Sequence, residues 1–437
     1  MLKKSWFASG AVLSMLLIAG CSGDPSSSEA SNENTNGEGP TEIEFYHIHG
    51  GEAGEAVDEL VAEYHEQQDD VRVTPVYVEG SYEGMLEKLQ MQATSGELPA
   101  VAQAGFVYSR FMIENMPVAP IQDFIDEENY NLDDYYPKML DLGRDDEETI
   151  WSLPFAVSTP VVYYNKDWFE EAGLDPENPP LDTWEDVRDT ASVLAEEDGK
   201  YGVFYNHTIT GNWMFQAMTE TAGGRMVNDD ATEVTFNEEP GVKSLQYWVD
   251  LVNKDQSMPN VNNDQAVQAF NSEELGIYIN TTASLRQLQT NSEFEVGTAP
   301  FPTVDGHDRQ VPAGGNSVYI MDTDEAQKQA AWDFIKFLTN PEGTTTFSSA
   351  SGYMAVRESA VEQDELLGKY LNEENPAAKT TYEQTDEMVP WFNFPGDAGT
   401  RIYKIVQDNI QAALTEQKTA EEALQDAAEE ANQLIEK

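Results

Sequence analysis

Positive charge is scarce in this sequence: 24 Lys and Arg stand against 80 Asp and Glu in 437 residues, a formal charge of −56 at neutral pH. Nucleic-acid binding is thereby excluded, because that affinity rests on basic side chains neutralising phosphates. Cys21 is the one cysteine, so no intramolecular disulfide and no cysteine-built metal site can form. After the first twenty residues no apolar run is long enough to cross a membrane. The catalytic spacings are missing too. There is no Gly-x-Ser-x-Gly elbow, no glycine-rich phosphate loop with a lysine, and no His-Glu-x-x-His. Eighty carboxylates produce Asp/Glu pairs by chance, so none can be singled out as the acid and nucleophile of a glycosidase without geometry. No catalytic residue, metal site or cofactor is expected, and the reading is not an enzyme.

What is present begins with a leader. Lys3 and Lys4 precede an apolar run from Trp6 to Ile18, and small residues then lead to Cys21. Residues 1–20 read as a signal peptide, too short for a stable span. Leu17-Ile18-Ala19-Gly20-Cys21 resembles the lipobox of bacterial lipoproteins, which implies that Cys21 is acylated and opens the mature chain. Acyl chains contribute about 0.8 kcal/mol per buried methylene, enough to hold a soluble body at a membrane. The alternative is a secreted protein with an incidental cysteine. Residues 21–40 are almost entirely Ser, Gly, Asn, Glu and Asp and read as a flexible linker. The large carboxylate excess is a solubility device that suits a saline exterior.

A chain of this length exceeds the size of a single core, so two lobes are the default. From Thr41 the pattern alternates: a strand at Ile43–Ile48, a helix carrying Val57, Leu60, Val61 and Tyr64, and a β-branched run at Val71–Val78. A helix opening at Ser81 and a short strand at Ala100–Ala104 follow. This order predicts an α/β lobe with a mainly parallel sheet. Ligands sit beyond the carboxyl ends of strands in such sheets, which is where His47, Tyr82 and Phe106 fall. His47 and His49, two apart on a strand, project from one face as metal ligands can, but no third ligand accompanies them; the simpler reading is an ordinary strand-end pair, of which one, His47, is the candidate to touch a ligand. The C-terminal stripe Ile402, Ile405, Val406, Ile410, Ala413 and Leu414 is a core-facing helix. Thr419 and Glu422 form a capping box for a last one. Trp151, Trp184, Trp213, Trp391, Phe392 and Phe394 lie in polar stretches, where an aromatic ring is either half-buried packing or a floor for the C–H face of a polyol or sugar.

The segment Pro154 to Phe169, with Ser158-Thr159-Pro160 and Tyr163-Tyr164-Asn165-Lys166-Asp167, resembles the signature of family 1 extracellular solute-binding proteins. So do Ala172-Gly173-Leu174-Asp175-Pro176, Thr183-Trp184, Gly314-Gly315, Gly352-Tyr353 and the closing helical pair, so the likeness runs from about Thr41 to Lys437. It implies a two-lobed periplasmic-binding-protein type II α/β fold, with lobes joined by crossover hinges near Ala156, Gly315 and Ser359. The expected boundaries are 41–156 with 317–359 for lobe 1, and 157–316 with 360–437 for lobe 2. The implied function is capture of a solute for an ABC importer. Its partners would be the permease subunits and, indirectly, their ATPase. The protein would be a monomer, lipid-anchored to the outer face of the cytoplasmic membrane, or periplasmic where an outer membrane exists.

Within that family the likeness is greatest to glycerol-3-phosphate-binding proteins. It carries a phosphate-holding role onto Tyr82, Ser158, Thr281, Gly314, Tyr353 and Arg401, a coherent set of hydroxyls, a glycine admitting backbone N–H, and a guanidinium. Two positions depart from the pattern: Phe106 stands where the family has a glutamate, and of two tryptophans three residues apart only Trp213 is present, with Thr210 in place of the other. The pocket is therefore expected to be wider or more apolar. The expected ligand is glycerol-3-phosphate, a glycerophosphodiester or a related phosphorylated polyol; the alternative is a neutral sugar or oligosaccharide, and a third reading, disfavoured by the missing catalytic pattern, is a secreted carbohydrate hydrolase.

Overall fold

The computed structural model describes residues 39–196, 199–304, 306–394 and 398–435. The signal segment, Cys21 and the linker up to residue 38 lie outside the described residues. No helix among them is long and apolar enough to cross a membrane.

Two sheets organise the body. The first has the order β2-β1-β3-β11-β4, with β5 also paired to β11. Its strands are β1 (Thr41–His47), β2 (Val71–Tyr77), β3 (Val101–Gly105), β4 (Val118–Ala119), β5 (Ser152–Ser158) and β11 (Gly314–Met321). The second, ordered β7-β8-β6-β9, comprises β6 (Pro160–Asn165), β7 (Tyr201–Tyr205), β8 (Leu275–Thr281) and β9 (Val296–Pro300). A two-residue pair joins β10 (Val311–Pro312) to β12 (Met388–Val389) in parallel.

β3, β5, β6 and β11 are buried along their whole length, as strands covered on both faces must be. The helix Gly51–Gln67 supplies one cover, turning Ala56, Val57, Leu60, Val61 and Tyr64 onto the core. The helix Tyr82–Ser95 follows β2. It is capped at its start by the Ser81 side chain, which accepts from Glu83 N, and closed by Gly96 at φ 75°. At the other end of the chain, Thr419 and Glu422 form the expected reciprocal cap, with bonds of 3.1 Å from Glu422 N and 3.0 Å from Thr419 N.

The first sheet is mixed rather than mainly parallel. β1 runs parallel to β2 and β3, but β11 is antiparallel to β3, β4 and β5. The reason is chain routing: β11 comes back from the second sheet and enters the first from the opposite end.

Among the described residues two crossovers connect the sheets, and a third, through Met354, leads from the helices after β11 into the C-terminal segment; both later crossovers touch the first. β5 passes into β6 through Thr159; Gly314 of the returning β11 lies opposite Ser158, and Gly315 opposite Val157. The third crossover bonds to the first through Met354 N and Val157 O at 2.7 Å. Gly315 sits at φ 105°, and a Cβ there would overlap the carbonyl oxygen of Ala156. Only glycine allows both that backbone angle and that approach.

Candidate functional site

The residues singled out in the sequence gather at the crossovers in two adjoining groups. In the first, Tyr82 opens its helix with the ring laid on Gly105, where a Cβ would stand 2.6 Å from ring Cγ. Its hydroxyl receives Asn316 Nδ2 at 3.3 Å and neighbours the hydroxyl of Tyr353. Asn316 Nδ2 also lies 3.5 Å from His49 Nε2. The His49 ring packs edge-on against Phe347 and Tyr353, with centroids 4.9 and 5.7 Å apart. Burial, and after it the charge of His47, holds His49 down at about 3. It is therefore a neutral hydrogen-bonding ring at neutral pH. Burial likewise raises both tyrosines, so they remain hydroxyl donors. Asn316 Oδ1 is buried without a hydrogen-bond partner among the described residues.

The second group is Ser158, Gly314 and Trp213. A Cβ on Gly314 would lie 2.8 Å from both Ser158 Oγ and the Trp213 ring, so the glycine is what lets the indole lie across the crossover strand. Trp213 Nε1 donates to Pro312 O at 3.0 Å. Asn212, at φ 54°, turns the chain into the helix Trp213–Thr221. Trp391 packs against Trp213 with centroids 5.7 Å apart.

The remaining expected residues divide. Thr281 ends β8 half-buried, its hydroxyl accepting from Ala283 N at 3.3 Å, beside Thr282, whose hydroxyl accepts from Thr159 N at 3.3 Å. Phe106 is buried directly after β3 and forms part of the cavity wall described below. His47 is buried among Phe45, Tyr77 and His49, at centroid separations of 5.6, 6.1 and 6.5 Å; of the two histidines it is His49 that joins the polar cluster. Arg401 is exposed in the first turn of the helix Gly399–Leu414 and does not line the cavity. Of the aromatic residues in polar stretches, Trp184 is a core residue against Tyr247, and Trp151 is held by Asp145 Oδ2 at 2.7 Å. Trp391 and Phe392 reach the cavity.

That cavity, of about 840 Å³, lies between residues following β3 and β4 on one side and the second-sheet segments 216–231, 307–310 and 389–393 on the other. Its wall combines Phe106, Trp391 and Phe392 with amides and carboxylates. Three arginines share it, each on a carboxylate: Arg110 with Glu114 at 2.8 Å, Arg144 with Asp141 at 3.3 Å, and Arg225 with Asp229. Gln216 and Glu220 went unnoticed in the sequence. The available signal was a polar pair at i and i+4 on a helix otherwise buried nearly all round. Among the described residues no group of three or more His, Cys, Asp or Glu is placed to hold a metal. The arrangement offers amide and hydroxyl groups, carboxylate acceptors, guanidinium groups and aromatic faces that can grip a polar solute.

Comparison with known proteins gives the same architecture. The chain matches the family described as bacterial extracellular solute-binding protein over residues 50–345. The sn-glycerol-3-phosphate-binding periplasmic protein UgpB of Escherichia coli (strain K12) is 29% identical over 420 residues, 92% of this chain and 94% of that protein. UgpB of Pectobacterium atrosepticum is 27% identical over 415 residues, covering 90% and 91%. Among solved structures, the cyclic alpha-maltosyl-1,6-maltose binding protein from Arthrobacter globiformis is 26% identical with a TM-score of 0.77, covering 91% of this chain and 99% of that one. UgpB from Mycobacterium tuberculosis, in complex with glycerophosphocholine, has a TM-score of 0.80 at 22% identity, covering 91% and 98%.

Proposed function

This chain belongs to the bacterial extracellular solute-binding protein family, the solute receptors of ABC importers, and on that premise we propose that it captures a neutral di- or oligosaccharide in the cleft between its lobes. The observation that carries this reading is the wall of the 840 Å³ cavity, where aromatic rings alternate with carboxylates and amides and every arginine already sits on a carboxylate. A sugar presents C–H faces to rings and hydroxyls to acceptors. A phosphate is held best by an uncommitted cation or a set of N–H donors, whereas each arginine of this wall is shared with a neighbouring carboxylate. The lobes close as rigid bodies about the crossovers at Ala156, Gly315 and Ser359. Tyr82, Ser158, Trp213, Thr281, Gly314 and Tyr353 then grip one end of the solute, and the permease receives it from the closed form. A monomer tethered through an acylated Cys21 completes the picture.

A phosphorylated polyol or glycerophosphodiester is the second reading. It is favoured by the neighbouring hydroxyls of Tyr82 and Tyr353, by Ser158 Oγ beside Gly314, and by relatives named for sn-glycerol-3-phosphate. A thermal-shift screen at moderate salt separates the two, since a ligand at 100 times its dissociation constant stabilises by about 2.7 kcal/mol. Maltotriose, sucrose and cyclic maltosides should raise the melting temperature while glycerol-3-phosphate and glycerophosphocholine do not. The reverse pattern would hand the assignment to the phosphate esters, and conversion of any of these compounds to products would remove the receptor reading.

A further inference from the structure

We propose that Glu220 is a specificity-determining residue of the cleft cavity, held in position by Gln216, and that it accepts a hydrogen bond from a hydroxyl of the bound saccharide most strongly when its carboxyl is ionised. This rests on the saccharide reading above and adds the group that reads the sugar.

The geometry begins with Gln216, which is buried and committed on three sides. Its Nε2 donates to Glu220 Oε2 at 3.1 Å and to Pro390 O at 2.9 Å, and its Oε1 accepts from Phe392 N at 3.0 Å. One amide thus fixes both the carboxylate one turn along its helix and the segment that brings Trp391 and Phe392 to the wall. Glu220 lines the cavity. Its second oxygen has no hydrogen bond within the protein among the described residues. An acceptor anchored on one side and open on the other, beside aromatic faces, matches the surface of a pyranose: ring C–H against indole, hydroxyl toward carboxylate.

Burial lifts the Glu220 carboxyl to about 7, against the lowering effects of the Gln216 bond and the Arg225 charge. The group therefore changes charge near neutral pH. The charged and titratable groups sharing its wall are Arg225 and Asp229 beyond its own helix, Arg110 and Glu114 of Ser109–Asn115, His307 and Asp308, with the acidic turn 141–146 further along. Among the described residues His307 is the one histidine on this wall and serves as the control.

Calorimetry with maltotriose, sucrose and raffinose at pH 6.0 and 8.0 tests the proposal on the full-length protein, Glu220→Gln and His307→Gln. Saccharide affinity of the unaltered protein should rise about fivefold from the lower to the higher pH, since an ionised acceptor bonds about twice as strongly as a neutral one. Glu220→Gln should be flat across that range and about fivefold weaker at pH 8.0. His307→Gln should keep the rise, whatever its absolute affinity. Saccharide binding with Glu220→Gln equal to the unaltered protein at pH 8.0, or with affinity that is level or falling with pH, overturns this inference alone. Binding of no saccharide at either pH overturns the saccharide reading and this inference with it. Should Glu220→Gln lack a cooperative melt, the pH profile of the unaltered protein decides.

Discussion

Asn393 and Phe106 join the two sides of the cleft: Asn393 Nδ2 donates to the carbonyl oxygen of Phe106 at 2.9 Å. Phe106 directly follows β3 of the first sheet, whereas Asn393 follows β12, in the segment that Gln216 ties to the second. Asn393 Oδ1 also accepts from Arg110 N at 3.4 Å. A single amide thus bonds across the gap whose closing would trap a solute.

Removing that amide should favour the open arrangement. Each bond is worth about 0.5–1.5 kcal/mol net, so Asn393→Ala is expected to lower apparent saccharide affinity roughly three- to tenfold by reducing the closed population. It should also enlarge the radius of gyration of the unliganded protein in small-angle scattering. An unchanged radius together with unchanged affinity would remove the latch role.

Gly314 supports a different expectation. Because a Cβ there meets Ser158 Oγ and the Trp213 ring at 2.8 Å, Gly314→Ala should push the indole off the crossover strand. Overpacking of this kind costs about 1–3 kcal/mol. A red-shifted tryptophan emission should accompany a loss of solute binding larger than the loss of stability explains. Full binding in Gly314→Ala would mean that Trp213 is not part of the grip.

Much of this was legible from residue patterns because the signals were local. The run of strand, helix, strand from β1 to β3, the Thr419–Glu422 cap and the buried stripe from Ile402 to Leu414 all follow from spacing alone. What escaped depends on contacts distant in sequence. The direction of β11 is set by where the chain returns from, which no local pattern encodes. Arg401 offered a charge and a helix start, yet which way that turn faces is decided by packing of Ile402 and Tyr403 on the opposite side. His47 and His49 looked equivalent on a strand, and only the position of Phe347 and Tyr353 selects His49. Glu220 was one carboxylate among 80 until Gln216 and the distant 390–392 segment singled it out.

His207 predicts an acid-sensitive core. It is buried beside Phe204 and Trp248, and both ring nitrogens lack a partner among the described residues. Burial holds it down at about 4, below the unfolded value near 6.5. The unfolded chain then binds the proton first, so the neutral ring's contribution is intact above about pH 6.5 and is lost as pH falls toward 4. At pH 4.5 the penalty is about 3 kcal/mol. His207→Phe, which keeps a ring and removes the titration, should show a visibly shallower loss of urea-unfolding free energy between pH 7 and 4.5. Parallel curves for the two proteins would contradict this.

The last prediction sets Arg401 against Trp391. A phosphate grip needs the guanidinium, because its planar pair of donors is what clasps two oxygens, whereas a saccharide needs the aromatic wall. Arg401 is exposed and does not line the cavity, while Trp391 is buried against Trp213 and forms part of the cavity wall. Arg401→Gln should therefore leave maltotriose binding within about twofold, since a side chain outside the contact surface contributes little. Trp391→Leu should weaken it at least tenfold, through loss of about 1.5–3 kcal/mol of ring burial. Calorimetry with maltotriose and glycerol-3-phosphate on both variants decides the matter. A tenfold loss of glycerol-3-phosphate binding in Arg401→Gln, with Trp391→Leu unaffected, would show that the cleft closes far enough to bring Arg401 onto the ligand and that the phosphate end dominates recognition.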